Sequence, residues 1–244
     1  MKVKDEIIIH PERHKSEKAI PSHGLFLVNP TESKVVMTMM QAAGAKRRFL
    51  FHSELMVSKN EDFFVAGPAI GAPMAVMTFE KLIALGAQQI VLFGWCGAIS
   101  PEFSIGDILL GGEAYSGEGT SRYYTRDLSS SPTQFLVEQL QSLFAGTRPQ
   151  AMWSTDAVFR ESRPMLQELA DKYNVCGVDM EYSALCAVAA FRNIDFAGLF
   201  LVSDELWQPE WRPGFTTKDF KKKSRESIEL LLANIPFINT AEKG

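Results

Sequence analysis

The stretch GPAIGAPMAVMTFEKLIALGAQQIVLFGWCGA, residues 67–98, decides the fold. Its first seven residues, Gly67-Pro68-Ala69-Ile70-Gly71-Ala72-Pro73, are too rich in glycine and proline for a regular element and read as a loop. A helical run over 74–85 follows, and Gly86 stops it by supplying a residue free to turn left-handed. Residues 89–93 read as a buried strand, and Gly94-Trp95-Cys96-Gly97-Ala98 as a tight loop behind it. The strand is apolar almost throughout rather than alternating, so both its faces must be covered. Alternating α/β architecture is the expectation.

The flanking sequence extends this pattern. Upstream, 7–9, 24–28, 49–57 and 62–66 are rich in Ile, Leu, Val and Phe and read as short strands, with a helix over 32–43 opened by Pro30-Thr31. Downstream, Ile105-Gly106-Asp107-Ile108-Leu109-Leu110 supplies a turn and a strand. Helices are expected over 132–144, 163–173, 181–192 and 217–233, with an apolar strand over 194–202 ending in Ser203-Asp204. Nothing resembles a linker, a repeat or a low-complexity tract. One domain over 1–244 is expected, with its core at about 20–235.

Composition excludes several functions. Lys and Arg number 25 against 29 Asp and Glu, a net charge of −4, so the surface does not gather nucleic acid. Lys221-Lys222-Lys223 reads as a solvated helix face. No apolar run reaches the length that spans a bilayer, and the start MKVKDEIIIHPERHK lacks a secretory core and cleavage site. A cytoplasmic protein is expected. Cys96, Cys176 and Cys186 form no CxxC, and His10, His14, His23 and His52 form no HExxH, so no metal is expected. Residues 67–73 match neither a Walker loop nor GxGxxG, which removes nucleoside triphosphates and dinucleotides as expected cofactors.

Ligands of open α/β sheets sit beyond the carboxyl ends of strands. Three stretches qualify. The first is 67–73, where Gly71 lets backbone approach a ligand beside a helix N-terminus. The second is 94–97, where Trp95 between two glycines suits a flat ligand, or else packs in the core, and Cys96 reads as a small buried filler. The third pairs Val178-Asp179-Met180-Glu181 with Val202-Ser203-Asp204-Glu205. Glu181 opens an apolar helix, and an ionised carboxylate there accepts hydrogens from a sugar diol. Asp204, at a strand end, is the acid candidate, whereas Asp107 reads as a turn residue. The loop 117–124 is the most polar and glycine-rich of the chain, and it passes equally well for an ordinary surface loop.

Taken together and in order, 67–73, 90–99, Gly106-Asp107, Glu118-Gly119-Thr120-Ser121 with Tyr124, Gly177-Val178-Asp179-Met180-Glu181 and Val202-Ser203-Asp204 resemble the nucleoside phosphorylase family. The branch is that of uridine phosphorylase, hexameric bacterial purine nucleoside phosphorylase and the methylthioadenosine nucleosidases. The resemblance implies a single α/β domain with a twisted, mixed central sheet flanked by helices. It implies cleavage of a nucleoside's N-glycosidic bond, with phosphate as acceptor in phosphorylases and water in nucleosidases. Met180 would pack on the ribose, Glu181 would bind its hydroxyls, and Asp204 would meet N7 of a departing purine. Phe159, beside Val158, falls near the base-stacking position, and His10 (or His14) near the histidine that reaches a neighbouring subunit's ribose pocket.

The resemblance further implies no cofactor, inorganic phosphate as co-substrate, and a homodimer or homohexamer. It also locates departures. The phosphate-binding Gly-Asp-Pro-x-Arg loop falls on Val28-Asn29-Pro30-Thr31-Glu32, and a second arginine and a hydroxyl residue fall on Leu92 and Trp95. Arg47 or Arg48 matches the arginine that a neighbouring subunit donates. Phosphorylase is the leading expectation, a nucleosidase the alternative, and a non-catalytic nucleoside-binding protein of the same fold the third.

Overall fold

A computed structural model of the chain describes residues 7–51 and 53–235; His52 and the two ends of the chain lie outside the described residues. In chain order the elements are β1 (His23–Leu27), α1 (Pro30–Ala42), β2 (Lys46–Arg48), β3 (Glu54–Val57), β4 (Phe64–Gly67), α2 (Ala72–Leu85), β5 (Gln89–Ala98) and β6 (Ile108–Gly117). They continue with β7 (Ser129–Ser130), α3 (Gln134–Leu143), β8 (Pro149–Thr155), α4 (Arg163–Tyr173), β9 (Val175–Asp179), α5 (Tyr182–Arg192), β10 (Asp195–Glu205), β11 (Arg212–Pro213) and α6 (Lys218–Asn234). All strands belong to one mixed sheet.

Strand alternation feeds two cores. On β1, Leu25 and Leu27 face one way and Phe26 the other; on β5, Val91 and Phe93 oppose Ile90 and Leu92. One face packs against α2 and α5, for example through Phe79, whose ring meets Phe196 edge-on at 5.3 Å. The opposite face packs against α1, α3 and α6 through Val36, Leu136 and Phe220. A smaller cluster under α4 joins Leu166 to Val175 and Val178. Covering both faces explains why the central strands are continuously apolar.

The sheet also closes on itself. β5 pairs with β10, β10 with β6, β6 with β8, β8 with β9, and β9 returns to β5. Register shifts in β6 between Gly111 and Ala114, and in β10 between Val202 and Asp204, bend the strands enough to close this ring. β1, β4, β3 and β2 extend it as a wing.

Three local expectations are corrected. Residues 94–98 continue β5 rather than forming a loop, because Gly94, Trp95 and Cys96 each pair with β10. Residues 7–9 form no strand; Ile8 is 91% exposed and no neighbouring strand takes its backbone. Among the described residues of 49–57, Glu54–Val57 is strand, and the charged segment Lys46–Arg48 pairs with it as an edge. No helix among the described residues is long and apolar enough to cross a membrane.

Candidate active site

The carboxyl ends of β1, β5, β9 and β10 converge on a cavity of about 240 Å³. Trp95, Met180, Glu181 and Asp204 line it together, with Asn29, Ile70, Gly97 and Val178 among the other walls. Gly97 permits a close wall-to-wall fit, since a Cβ there would lie 2.8 Å from Leu206 Cδ1.

Glu181 is held by its helix and by the loop before α2. Asp179 caps α5 by accepting the Glu181 and Tyr182 amides at 3.0 and 2.7 Å, with the Ser154 hydroxyl as a further donor. That leaves Glu181 free of capping duty. Its Oε1 accepts the Gly71 amide at 2.6 Å, and Gly71 adopts φ +82°, a conformation that costs glycine least. Burial, and then the nearby Asp179 charge, push the Glu181 carboxyl up to about 8. Burial likewise raises Asp179, to about 6, against the pull of its donors. Among the described residues, no Lys or Arg lines the cavity. A ligand offering hydroxyl donors would replace solvation that Glu181 has lost.

Asp204 follows the β10 bulge. Ser203 Oγ lies 2.5 Å from Asp204 Oδ1 and 3.1 Å from the Cys96 carbonyl, so its one proton serves either acceptor. Trp211 Nε1 donates to Asp204 Oδ2 at 2.9 Å. The carboxylate is thus oriented from its own strand and from a separate loop. Glu161, just past the short 3₁₀ turn Val158–Arg160, faces the same cavity; burial and the Asp204 charge push it up to about 7. Neither Glu161 nor Trp211 is marked by the sequence: the base-stacking expectation falls on Phe159, two residues before Glu161, and no local pattern ties Trp211 to Asp204.

Trp95 is fixed at three points. Its amide donates to Asn29 Oδ1 at 3.0 Å, its ring stacks on Phe215 at 5.8 Å, and it meets Phe220 edge-on at 5.2 Å. Behind it Glu32 is buried, taking the Ser224 hydroxyl at 3.0 Å. Burial raises the Glu32 carboxyl, offset in part by the Ser224 hydroxyl. Glu32 Oε2 and Trp95 Nε1 are each buried without a hydrogen-bonded partner. Cys96 is a buried thiol that desolvation pushes well above its ordinary range, which fits a filler and not a nucleophile.

Other expected site residues lie elsewhere in this protomer. Val158 lines the cavity, whereas Phe159 is 97% exposed and outside its lining. Gly71 contributes its amide rather than a wall. Arg47 and Arg48 sit on β2 at the far edge of the wing, facing Glu54 at 3.4 Å and Glu61 at 3.9 Å. His10 lines a different groove, of about 940 Å³, with Phe49, Met77, Tyr123 and Phe191. The loop carrying Glu118 is internally bonded: burial acts against that carboxylate, but Ser121, Ser116 and the Thr120 amide hold it below the usual range. Ser183 of α5 also donates to it, at 3.1 Å.

The model of the phosphorylase superfamily matches residues 31–235. The chain belongs to this superfamily. It is 30% identical over 159 residues to a DeoD-type purine nucleoside phosphorylase of Shewanella oneidensis, covering 62% of this chain and 67% of that protein. Its fold is similar to that of uridine phosphorylase from Vibrio fischeri, with a TM-score of 0.77, 16% identity, and 91% and 99% of the two chains covered. It is also similar to futalosine hydrolase of Helicobacter pylori, with a TM-score of 0.71, 14% identity, and 88% and 97% covered.

Proposed function

We propose that this superfamily member cleaves the N-glycosidic bond of a nucleoside, with a purine base favoured, and transfers the pentosyl group to inorganic phosphate. The observation that carries this is one cavity lined by both Glu181 and Asp204, with Met180 beside them. Glu181 binds the sugar hydroxyls. Asp204 hydrogen-bonds or protonates N7, so that the C1′–N9 bond breaks with its electron pair on the base. A phosphate oxygen then forms the new bond to C1′ of an oxocarbenium-like sugar. No cofactor is needed for these steps. The similarity to a purine nucleoside phosphorylase supports phosphate and purine together.

A specific observation favours water as the second reading. Among the described residues, the Asn29–Trp95 side of the cavity offers no cation, and Glu32 is buried. Two missing charge-assisted bonds would weaken a phosphate dianion by roughly 100- to 10,000-fold. A partner's Arg47 or Arg48 would restore part of that charge.

Assembly with second copies, as a homodimer or homohexamer acting in the cytoplasm, belongs to the same proposal. Exposed Phe49, Met77, Tyr123 and Phe191 line the groove that holds His10, and within one protomer neither His10 nor these arginines line the cavity. Light scattering tests the assembly. A nucleoside panel assayed with and without phosphate tests the chemistry: ribose 1-phosphate is the expected product. Free ribose released at the same rate without phosphate would replace phosphorolysis by hydrolysis, and no base release at all would remove both.

A further inference from the structure

Of the four carboxylates of the cavity wall, Glu161 is the one with neither a task in the cleavage chemistry above nor a capping role. It enters from the segment after β8, while Asp204 enters from β10, and both line the same cavity. Asp204 is bonded by Ser203 and Trp211. The Glu161 carboxylate, among the described residues, makes neither a hydrogen bond nor an ion pair. The walls beside the two acids, Val158, Val178 and Leu206, are apolar. A flat base entering there would therefore present its polar edge to two carboxyl groups and little else.

We propose that Glu161, with Asp204, reads the substituent at position 6 of the purine and selects a 6-aminopurine nucleoside over a 6-oxopurine one. The inference rests on the glycosidic-bond reading. Like charges in one cavity, with no cation on its wall among the described residues, resist simultaneous ionisation, so burial and the Asp204 charge favour a proton on Glu161. One proton and one free carboxylate match an edge with one acceptor, N7, and one donor, the 6-amino group. A 6-oxo base presents two acceptors. It would need both carboxyl groups protonated, or would leave a carboxylate facing its oxygen.

The raised Glu161 carboxyl, at about 7, agrees with a pair that keeps a proton near neutrality. The other titratable groups on the cavity wall are Asp204 from β10, Asp179 and Glu181 from the β9–α5 junction, and the Cys96 thiol from β5. Arg163, close in sequence, does not offset them, since its guanidinium is bonded to the Gln208 and Pro209 carbonyls.

The test compares kcat/KM for adenosine and inosine in the wild type, Glu161→Gln and Glu161→Ala. The wild type should prefer adenosine, and the preference should persist as pH falls through about 7, where the pair takes up its one proton. Glu161→Gln, whose amide both donates and accepts, should lower the adenosine-to-inosine ratio by roughly 10- to 100-fold. Glu161→Ala should lower it as well. Ratios within about twofold of wild type in both variants, or a wild type that prefers inosine, would overturn the inference while leaving the glycosidic-bond reading intact. Calorimetric binding of free adenine and hypoxanthine to the same proteins reads Glu161 without turnover. A wild type that cleaves no nucleoside but discriminates the bases through Glu161 would sink the cleavage reading alone, and one that does neither would sink both.

Discussion

Replacing Glu181 by Gln should stabilise the protein at alkaline pH while impairing it as an enzyme. In the folded state burial and Asp179 raise this carboxyl from 4.5 to about 8. Between those values the folded chain holds a proton that the unfolded chain has released. The slope of unfolding free energy with pH follows protons bound unfolded minus folded, so it is negative here. The contribution is therefore fully present below 4.5, falls as pH rises, and is gone above about 8. The full linkage, 8 − 4.5 = 3.5 pH units, corresponds to about 5 kcal/mol as a ceiling. Relaxation and water entry at the cavity mouth reduce it to about 2–3 kcal/mol. Glutamine removes the titration but keeps a carbonyl for the Gly71 amide. For a chain of this size the gain corresponds to roughly 4–12 °C in Tm. Scanning calorimetry should show equal Tm values for wild type and variant at pH 5 and a higher Tm for the variant at pH 8.5. Parallel curves from pH 5 to 9 would refute a buried, ionisable Glu181 as the source.

Asp204→Asn should reduce kcat by about 10²–10⁴-fold with an unchanged melting curve; retained kcat would remove Asp204 from the chemistry. Trp211→Phe deletes the 2.9 Å donor to Asp204 and should cost activity about tenfold, with less effect on KM than on kcat. Arg192 holds Glu80 through two bonds of 2.7 and 2.9 Å between α5 and α2, so Arg192→Ala should destabilise by about 2–3 kcal/mol in urea titrations. Glu80→Gln in that background should recover part of the loss, because the stranded charge disappears. Tyr182→Phe forfeits the buried bond to the Gly112 carbonyl at 3.0 Å and should cost about 1 kcal/mol by the same assay.

Helices were legible because their period and punctuation are local. The expected span 163–173 coincides with α4, and Gly86 and Asn193 end α2 and α5 in conformations with positive φ. The motif carrying Met180 and Glu181 and the Ser203-Asp204 strand end were legible for the same reason: each is a short run of side chains at a predictable boundary. The family resemblance also marks Glu32 and Leu92 as standing where the phosphorylases carry arginines. Local sequence misread 94–98, since two glycines and a tryptophan resemble a loop until β10 is found beside them. Long-range pairing, not propensity, made that segment a strand.

The tertiary structure decided what no local pattern encodes. It brought Glu161 and Trp211 to Asp204 from separate loops, and it left Arg47, Arg48 and His10 outside the cavity within one protomer. It also set the protonation of the site. An isolated glutamate reports an acid near 4.5, whereas burial beside Asp179 makes Glu181 a group that holds its proton to about 8. Residue identities are written in the chain, but desolvation and charge proximity arise only when distant segments close around them.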